Sequence, residues 1–388
     1  MTSPTSHGRT ETRPSVFLQT GFRPFFLLAA GWAAFAMGWW GLFLGRLVPV
    51  STSLQPVDWH AHEMIFGYAT AVLAGFFLTA TRNWTKRPTA SGLGLLSLVV
   101  LWALGRVGGV FSGTLGVLAD VTFLVGLAAV IALPIVQARS KRNYGFPILL
   151  LVLAVADALS HLTVHTQLAA RIGLDAILVI LVIFGGRVVP MFTRNAMREA
   201  NVTMSPRWDT AARWLVWAFL ISEIVSVWVE PVHWLAGALA VAAGLASLIR
   251  SRNWRFFATL GSPIVWILHL GFAWIGLGLI VRGATLLGAA LPSSLGTHAL
   301  TVGAIGTLTL AMLTRVALGH TGRAMRAPRT IVVAYGLLTL AVILRLASPW
   351  LPPWGMLAAA FSFFAAFAIY FVVYLPILVS ARPDGKPG

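Results

Sequence analysis

The stretch Trp59-His60-Ala61-His62-Glu63-Met64 sets two imidazoles and a carboxylate at the mouth of a long apolar run. Imidazole ligates haem iron and copper, and ionisable groups are held in apolar segments only at a cost, so the cluster marks a functional site by default. Asp157, His161 and His165 recur at i, i+4 and i+8, a spacing that lines one carboxylate and two imidazoles along one helix face. This is either a metal edge with a supporting carboxylate or a hydrogen-bonded seam between helices. His298 opens a later apolar run, His320 closes it, and His269 lies near the middle of the run before it. Two histidines on separate helices at matching depth can hold opposite faces of a haem, and His62 and His298 have that placement if their helices are neighbours. Glu63 has three open uses: orienting a ligand, accepting a proton, or pairing with an arginine at the rim such as Arg46 or Arg171.

A second layer lies at the other ends of these runs. Gly185-Gly186-Arg187 through Pro190 to Thr193-Arg194-Asn195 is expected to break its helix, leaving Arg187 inside the bilayer edge. Thr314-Arg315 and Gly319-His320-Thr321-Gly322-Arg323 are expected to do something comparable. The alternatives there are an anion site, a haem propionate site, a proton access route, or arginines that snorkel to the surface.

The elements that must position these groups are membrane helices. Of 388 residues, 58% are hydrophobic and 10% charged, with mean hydropathy +0.84, against roughly 25% charged in soluble domains. Apolar runs near 25–47, 62–81, 92–112, 115–137, 146–166, 172–190, 210–229, 233–250, 260–283, 298–318, 330–347 and 354–380 are each about long enough to cross a bilayer. The fold class expected is therefore an all-α polytopic membrane bundle of about twelve helices. Residues 1–24 form a polar tail, 25–380 one transmembrane domain and 381–388 a short second tail. The first run is too long for a cleavable signal peptide.

The formal charge of +17 is spread over alternate short loops, as in Arg82, Lys86 and Arg87, then Arg139, Lys141 and Arg142, then Arg323, Arg326 and Arg329. Basic residues mark cytoplasmic loops, so both termini are expected in the cytoplasm, and topology accounts for the charge without nucleic acid. His60, His62, His161, His165, His233 and His298 then share the non-cytoplasmic side. No cysteine is present, which excludes disulfides, thiolate metal sites, iron–sulfur clusters and covalently attached haem. The second and tenth runs look distantly alike. Gly67, Ala71 and Gly75 follow His62 at the offsets at which Gly303, Thr307 and Ala311 follow His298. Small stripes of this kind admit close helix contacts, and on an α-helix each histidine lies about 140° around from its stripe.

Several blocks together resemble the NnrS family. They are Gly21-Phe22-Arg23-Pro24-Phe25-Phe26, His60-Ala61-His62-Glu63-Met64 running on to Asn83-Trp84-Thr85, and Gly185-Gly186-Arg187 through Asn195. Leu268-His269-Leu270 and His298-Ala299-Leu300-Thr301-Val302-Gly303 through Gly319-His320-Thr321-Gly322-Arg323 complete them. The resemblance implies a polytopic bacterial inner-membrane protein that contains haem and copper and acts in nitric oxide metabolism or nitrosative-stress tolerance. By matching position it makes His60, His62, Glu63, His269, His298 and His320 the leading site residues, with His161 and His165 added by spacing. Nitric oxide or an iron–nitrosyl species is the ligand implied. Two other readings stay open. One is a cofactor-free transporter of a small anion built on broken helices and buried arginines. The other resembles the haem–copper oxidases, against which the sixth run offers no histidine and the seventh no His-His pair.

Overall fold

Apolar runs bounded by Gly, Pro and basic clusters fold as helices because a bilayer leaves the backbone no other hydrogen-bond partner. The computed structural model describes residues 15–50, 52–111, 113–161, 166–226, 229 and 232–386. Among these residues there is no strand, and twelve continuous helical rods form a bundle. They are α1 (Phe22–Leu44), α2 (Pro56–Thr85), α3 (Gly92–Phe111), α4 (Gly113–Gln137), α5 (Gly145–Ser160), α6 (Thr166–Ala196), α7 (Pro206–Val225), α8 (Val232–Ser251), α9 (Pro263–Leu286), α10 (Ser293–His320), α11 (Arg329–Ala347) and α12 (Trp354–Val379). Ten are long and apolar enough to cross a membrane. The apolar part of α3 runs only from Gly92 to Gly108, and α7 carries Arg207, Asp209, Arg213 and Glu223.

Burial sorts the rods into centre and rim. The most apolar windows of α2, α10 and α6 are 83%, 78% and 72% buried, whereas those of α11 and α12 are each 33% buried. The rim exposes Leu and Val instead, such as Leu93, Val100 and Leu104 on α3 and Val333 and Ile343 on α11, which suits a lipid solvent. Small residues set the tightest contacts. Gly31, Gly38 and Gly41 of α1 receive the rings of Phe371, Phe364 and Phe361 of α12, closing the bundle between its first and last helices. Gly237 and Gly244 of α8 lie against the backbone of Gly283 and Gly276 of α9, where an added Cβ would strike carbonyl oxygen.

The two central rods that carry His62 and His298 share an irregularity. Directly after each histidine the helix widens into a π-helical segment, Glu63–Ala69 in α2 and Ala299–Gly306 in α10. A wide turn frees carbonyls that an α-helix would occupy, and polar side chains take them up. Thr70 donates to Phe66, Trp102 Nε1 donates to the Gly67 carbonyl at 2.9 Å, and Thr309 donates to Ile305 and Gly306 at 2.7 and 3.0 Å. The Tyr68 and Thr309 hydroxyls bond each other and tie α2 to α10.

Three sequence expectations change. The helix through 146–166 ends at Ser160, because Ser160 caps back onto the Asp157 carbonyl at 2.7 Å and His161 lies in the following turn. The Gly-Gly-Arg stretch does not break α6, which runs unbroken through Pro190 to Ala196. Gly185 there makes room for Phe272, and Gly186 for the Arg250 guanidinium. The 100° geometry assumed beyond His62 and His298 does not hold either, since both stretches are π-wound. Gly75 still faces α1, through Phe25 and Phe26, while His62 turns to α5.

Candidate metal centre

Pro56 at the first turn and Asp58 just inside it start α2 four residues before His60, where a fixed φ and a negative charge both favour a helix N-terminus. The wide turn that follows lets the neighbouring His62 and Glu63 join one buried network. His62 Nδ1 lies 3.1 Å from Glu63 Oε1, and His62 Nε2 lies 2.8 Å from Asp157 Oδ1 on α5. Glu63 Oε2 accepts from Trp32 Nε1 of α1 at 2.8 Å and from Arg106 Nη1 of α3 at 2.5 Å. Arg106 Nη2 donates to Asp120 Oδ2 of α4, and that oxygen lies 3.9 Å from His62 Nε2. Glu63 therefore pairs with an arginine inside the bundle, not with Arg46 or Arg171. The approach of α4 depends on Gly105, where a Cβ would overlap the Asp120 carboxylate.

The network has more carboxyl groups than guanidinium groups. Three carboxylates, Glu63, Asp120 and Asp157, face one guanidinium, and all four groups are buried. With the carboxylates ionised and the imidazoles neutral, two negative charges remain in a low-dielectric interior, a state that a dication neutralises. Polar atoms of this network are buried without a partner: Asp157 Oδ2, Asp120 Oδ1 and His161 Nε2. His62, Asp157 and His161 offer donor atoms that all lie within 4.8 Å of one another, and the His62 and His161 rings meet edge to face at 5.1 Å. Donors around one transition-metal ion stand about 3.3 Å apart, so a modest inward movement closes this set. Imidazole and carboxylate without thiolate or thioether suit Cu(II) or Zn(II) better than Cu(I). A small space is lined by Glu63, Arg106 and His161 together with Thr52, Ser53 and Leu54.

A second pair of imidazoles stands next to this centre. The His60 ring stacks on Trp40 of α1 at 4.5 Å, and its buried Nδ1 has no partner. His298 Nδ1 donates to the Ser294 carbonyl at 2.8 Å, which leaves Nε2 as the ring's acceptor. A ligating histidine commonly gives its other N–H to a carbonyl in this way. His298 lies within electrostatic range of His60 and of Arg345 at the end of α11. Two imidazoles from different helices, one in a ligand-ready tautomer and one with an orphaned nitrogen, fit the donor requirement of haem iron. The imidazole neighbour of His298 is thus His60, while His62 is engaged by Asp157, Glu63 and His161.

The chain belongs to the NnrS family. The family's model, NnrS protein, matches residues 16–382, nearly the whole length. No curated protein sequence matches the chain.

The remaining NnrS blocks lie elsewhere in the bundle. His269 Nε2 meets Thr193 Oγ1 at 2.8 Å among Trp254 and Phe256, a satisfied buried histidine. His320 packs on Phe22 at 5.5 Å, at the far end of α10 from His298. Arg187 reaches out to Asn143 Oδ1 at 3.1 Å and the Arg142 carbonyl at 3.3 Å, as a snorkelling arginine does. Arg315 stays buried. His165 lies outside the described residues.

Arg106 and Asp120 are the site residues that reading the sequence missed. Their signal was available: each is a single charge inside an otherwise apolar run, the pattern that marks an intramembrane site. The same signal finds a second buried group near the same end of the bundle. Arg282 of α9 meets Asp175 of α6 at 2.5 and 3.2 Å and Glu223 of α7 at 3.0 Å.

Proposed function

We propose that this NnrS family member is a haem- and copper-binding protein of the bacterial inner membrane that acts in nitric oxide metabolism or nitrosative-stress tolerance. Copper is assigned to His62, Asp157 and His161, with Asp120 and Glu63 supplying neutralising charge and Arg106 holding both carboxylates in place. Haem is assigned to His298 and His60 at the mouths of α10 and α2. The observation that carries the reading is the excess of buried carboxylate in front of two imidazoles. An apolar bundle tolerates that arrangement when a cation completes it.

Haem held by His298 and His60 would supply iron chemistry toward nitric oxide. The chain's own residues do the rest. Ser294 fixes the His298 tautomer, Trp40 holds the His60 ring flat, and Glu63 and Asp157 orient His62. An apolar cavity lined by Val72, Phe76, Ile180, Leu268 and Leu308 lies among the central helices, a suitable store for a small uncharged ligand arriving from lipid.

The test is metal analysis and an optical spectrum of the purified full-length protein, produced with haem and copper supplied. His298→Ala and His60→Ala are expected to lose the Soret band and keep copper, whereas His161→Ala loses copper and keeps the band. Wild-type protein with neither copper nor Soret absorbance would sink the proposal.

A further inference from the structure

Five arginines are buried among the described residues: Arg23, Arg106, Arg250, Arg282 and Arg315. Four have acceptors. Arg106 and Arg282 meet carboxylates, Arg250 meets Asp209 and the Val182 carbonyl, and Arg23 meets the carbonyls of Leu378 and Ser380. Arg315 of α10 is different. Its Nε and Nη1 are buried without a partner, and its guanidinium sits 3.8 Å over the Phe192 ring of α6. The side chain that faces it electrostatically is Tyr335 of α11, a neutral group.

The hydroxyls around it are weakly served. Tyr335, Tyr370 and Tyr374 are fully buried, none of the three hydroxyls makes a hydrogen bond of normal geometry, and the group that faces those of Tyr335 and Tyr374 is the Thr314 hydroxyl. Tyr370 and Tyr374 of α12 stack at 4.4 Å, and Thr314, beside Tyr335 and Tyr374, gives its proton to the Leu310 carbonyl at 2.9 Å. A guanidinium only donates, and it stays charged in a protein. The tyrosine hydroxyls add more donors, and the acceptor beside Tyr335 and Tyr374, Thr314 Oγ1, is neutral. What this place lacks is therefore an acceptor that carries negative charge.

We propose that Arg315, with Tyr335 and Tyr374, binds a small inorganic monoanion, a halide or a planar oxyanion of the nitrate type. One guanidinium balances one negative charge, and a dianion would leave an excess in the interior. A planar oxyanion also matches the guanidinium fork. The proposal is independent of haem and copper, whose assigned ligands lie toward the opposite end of α10.

The test uses full-length protein in detergent micelles, with melting followed as sodium chloride or sodium nitrate replaces sodium gluconate at constant ionic strength. Wild type is expected to gain several degrees in a saturable way at millimolar anion, with sulfate ineffective. Tyr335→Phe and Tyr374→Phe keep the ring volume, and each is expected to raise the half-saturating concentration about tenfold. Arg315→Gln is expected to abolish the response; if it does not fold, the double tyrosine variant decides. Identical melting of wild type in all salts overturns the proposal, as does an unchanged response in the double variant or an equal effect of sulfate. So does loss of the Soret band in Arg315→Gln alongside an anion-insensitive wild type, which would assign the guanidinium to a cofactor carboxylate.

Discussion

Arg106 and Arg315 are both buried in the bundle, and their surroundings differ in charge, acidic around the first and neutral around the second. Around Arg106 stand three carboxyl groups and an imidazole, whereas around Arg315 stand an aromatic face and tyrosine hydroxyls. The apolar rods around them are alike in composition, so the contrast comes from a few side chains. A membrane interior screens charge poorly, so each imbalance becomes a binding preference: a cation at one place and an anion at the other.

The largest expected effect comes from breaking the negative side of this contrast. Arg106→Ala leaves Glu63, Asp120 and Asp157 with no fixed cation, and a broken buried ion pair costs about 3–5 kcal/mol. The variant should melt far below wild type or fail to accumulate, and added copper or zinc should recover part of the loss. A melting point within about one degree of wild type would show that the carboxylates are protonated and need no partner.

Next is Asp157→Asn, which keeps the shape of the set and removes one ligand charge. Copper affinity, measured by chelator competition, should fall about 100-fold. Unchanged affinity would mean that the His62–Asp157 contact is only a seam between helices. His298→Ala against His269→Ala separates a ligand-ready imidazole from a satisfied one. The first should lose the Soret band and the second should keep it with at most a stability cost, since His269 is already committed to Thr193.

A smaller change is expected at Gly105→Ala, whose Cβ would push on Asp120. Overpacking of this kind costs about 1–3 kcal/mol, read as a lower melting point with weakened metal affinity. The smallest concerns the tail. Arg382 holds the Asp384 carboxyl below the usual range, so it is ionised throughout ordinary conditions, and its contribution is lost only as pH falls below that range. Because the pair is solvent-exposed and worth little, and the carboxylate does not titrate in that window, Asp384→Asn should leave both the melting point and its pH dependence unchanged from about pH 5 to about pH 8. A shift in that window would show a charge coupling between tail and bundle.

Much of the fold was legible in the residues. Run length, loop charge and the absence of cysteine pointed to an all-α membrane bundle, because hydrocarbon thickness and backbone hydrogen bonding leave few alternatives. The likeness between the runs after His62 and His298 was legible too, and both are π-wound. The widening itself was not, since the turn depends on Trp102, Thr70 and Thr309 taking the freed carbonyls.

The site was half legible. His62, Glu63, Asp157 and His161 stood out as polar groups in apolar runs, but spacing along one chain says nothing about which helices touch. The expectation that Gly and Pro would break α6 failed because tertiary contacts fill those positions, with Phe272 at Gly185 and Arg250 at Gly186.

The sequence by itself therefore determined class, family and the inventory of ionisable groups, each a consequence of local composition. Tertiary structure alone decided the pairing. It put His62 with Asp157 and His161, gave His298 the neighbour His60, joined Arg106 to two carboxylates and left Arg315 without one. The physical reason is that charge balance is a property of a volume, and residues 95 positions apart, such as His62 and Asp157, share a volume only after the helices have packed.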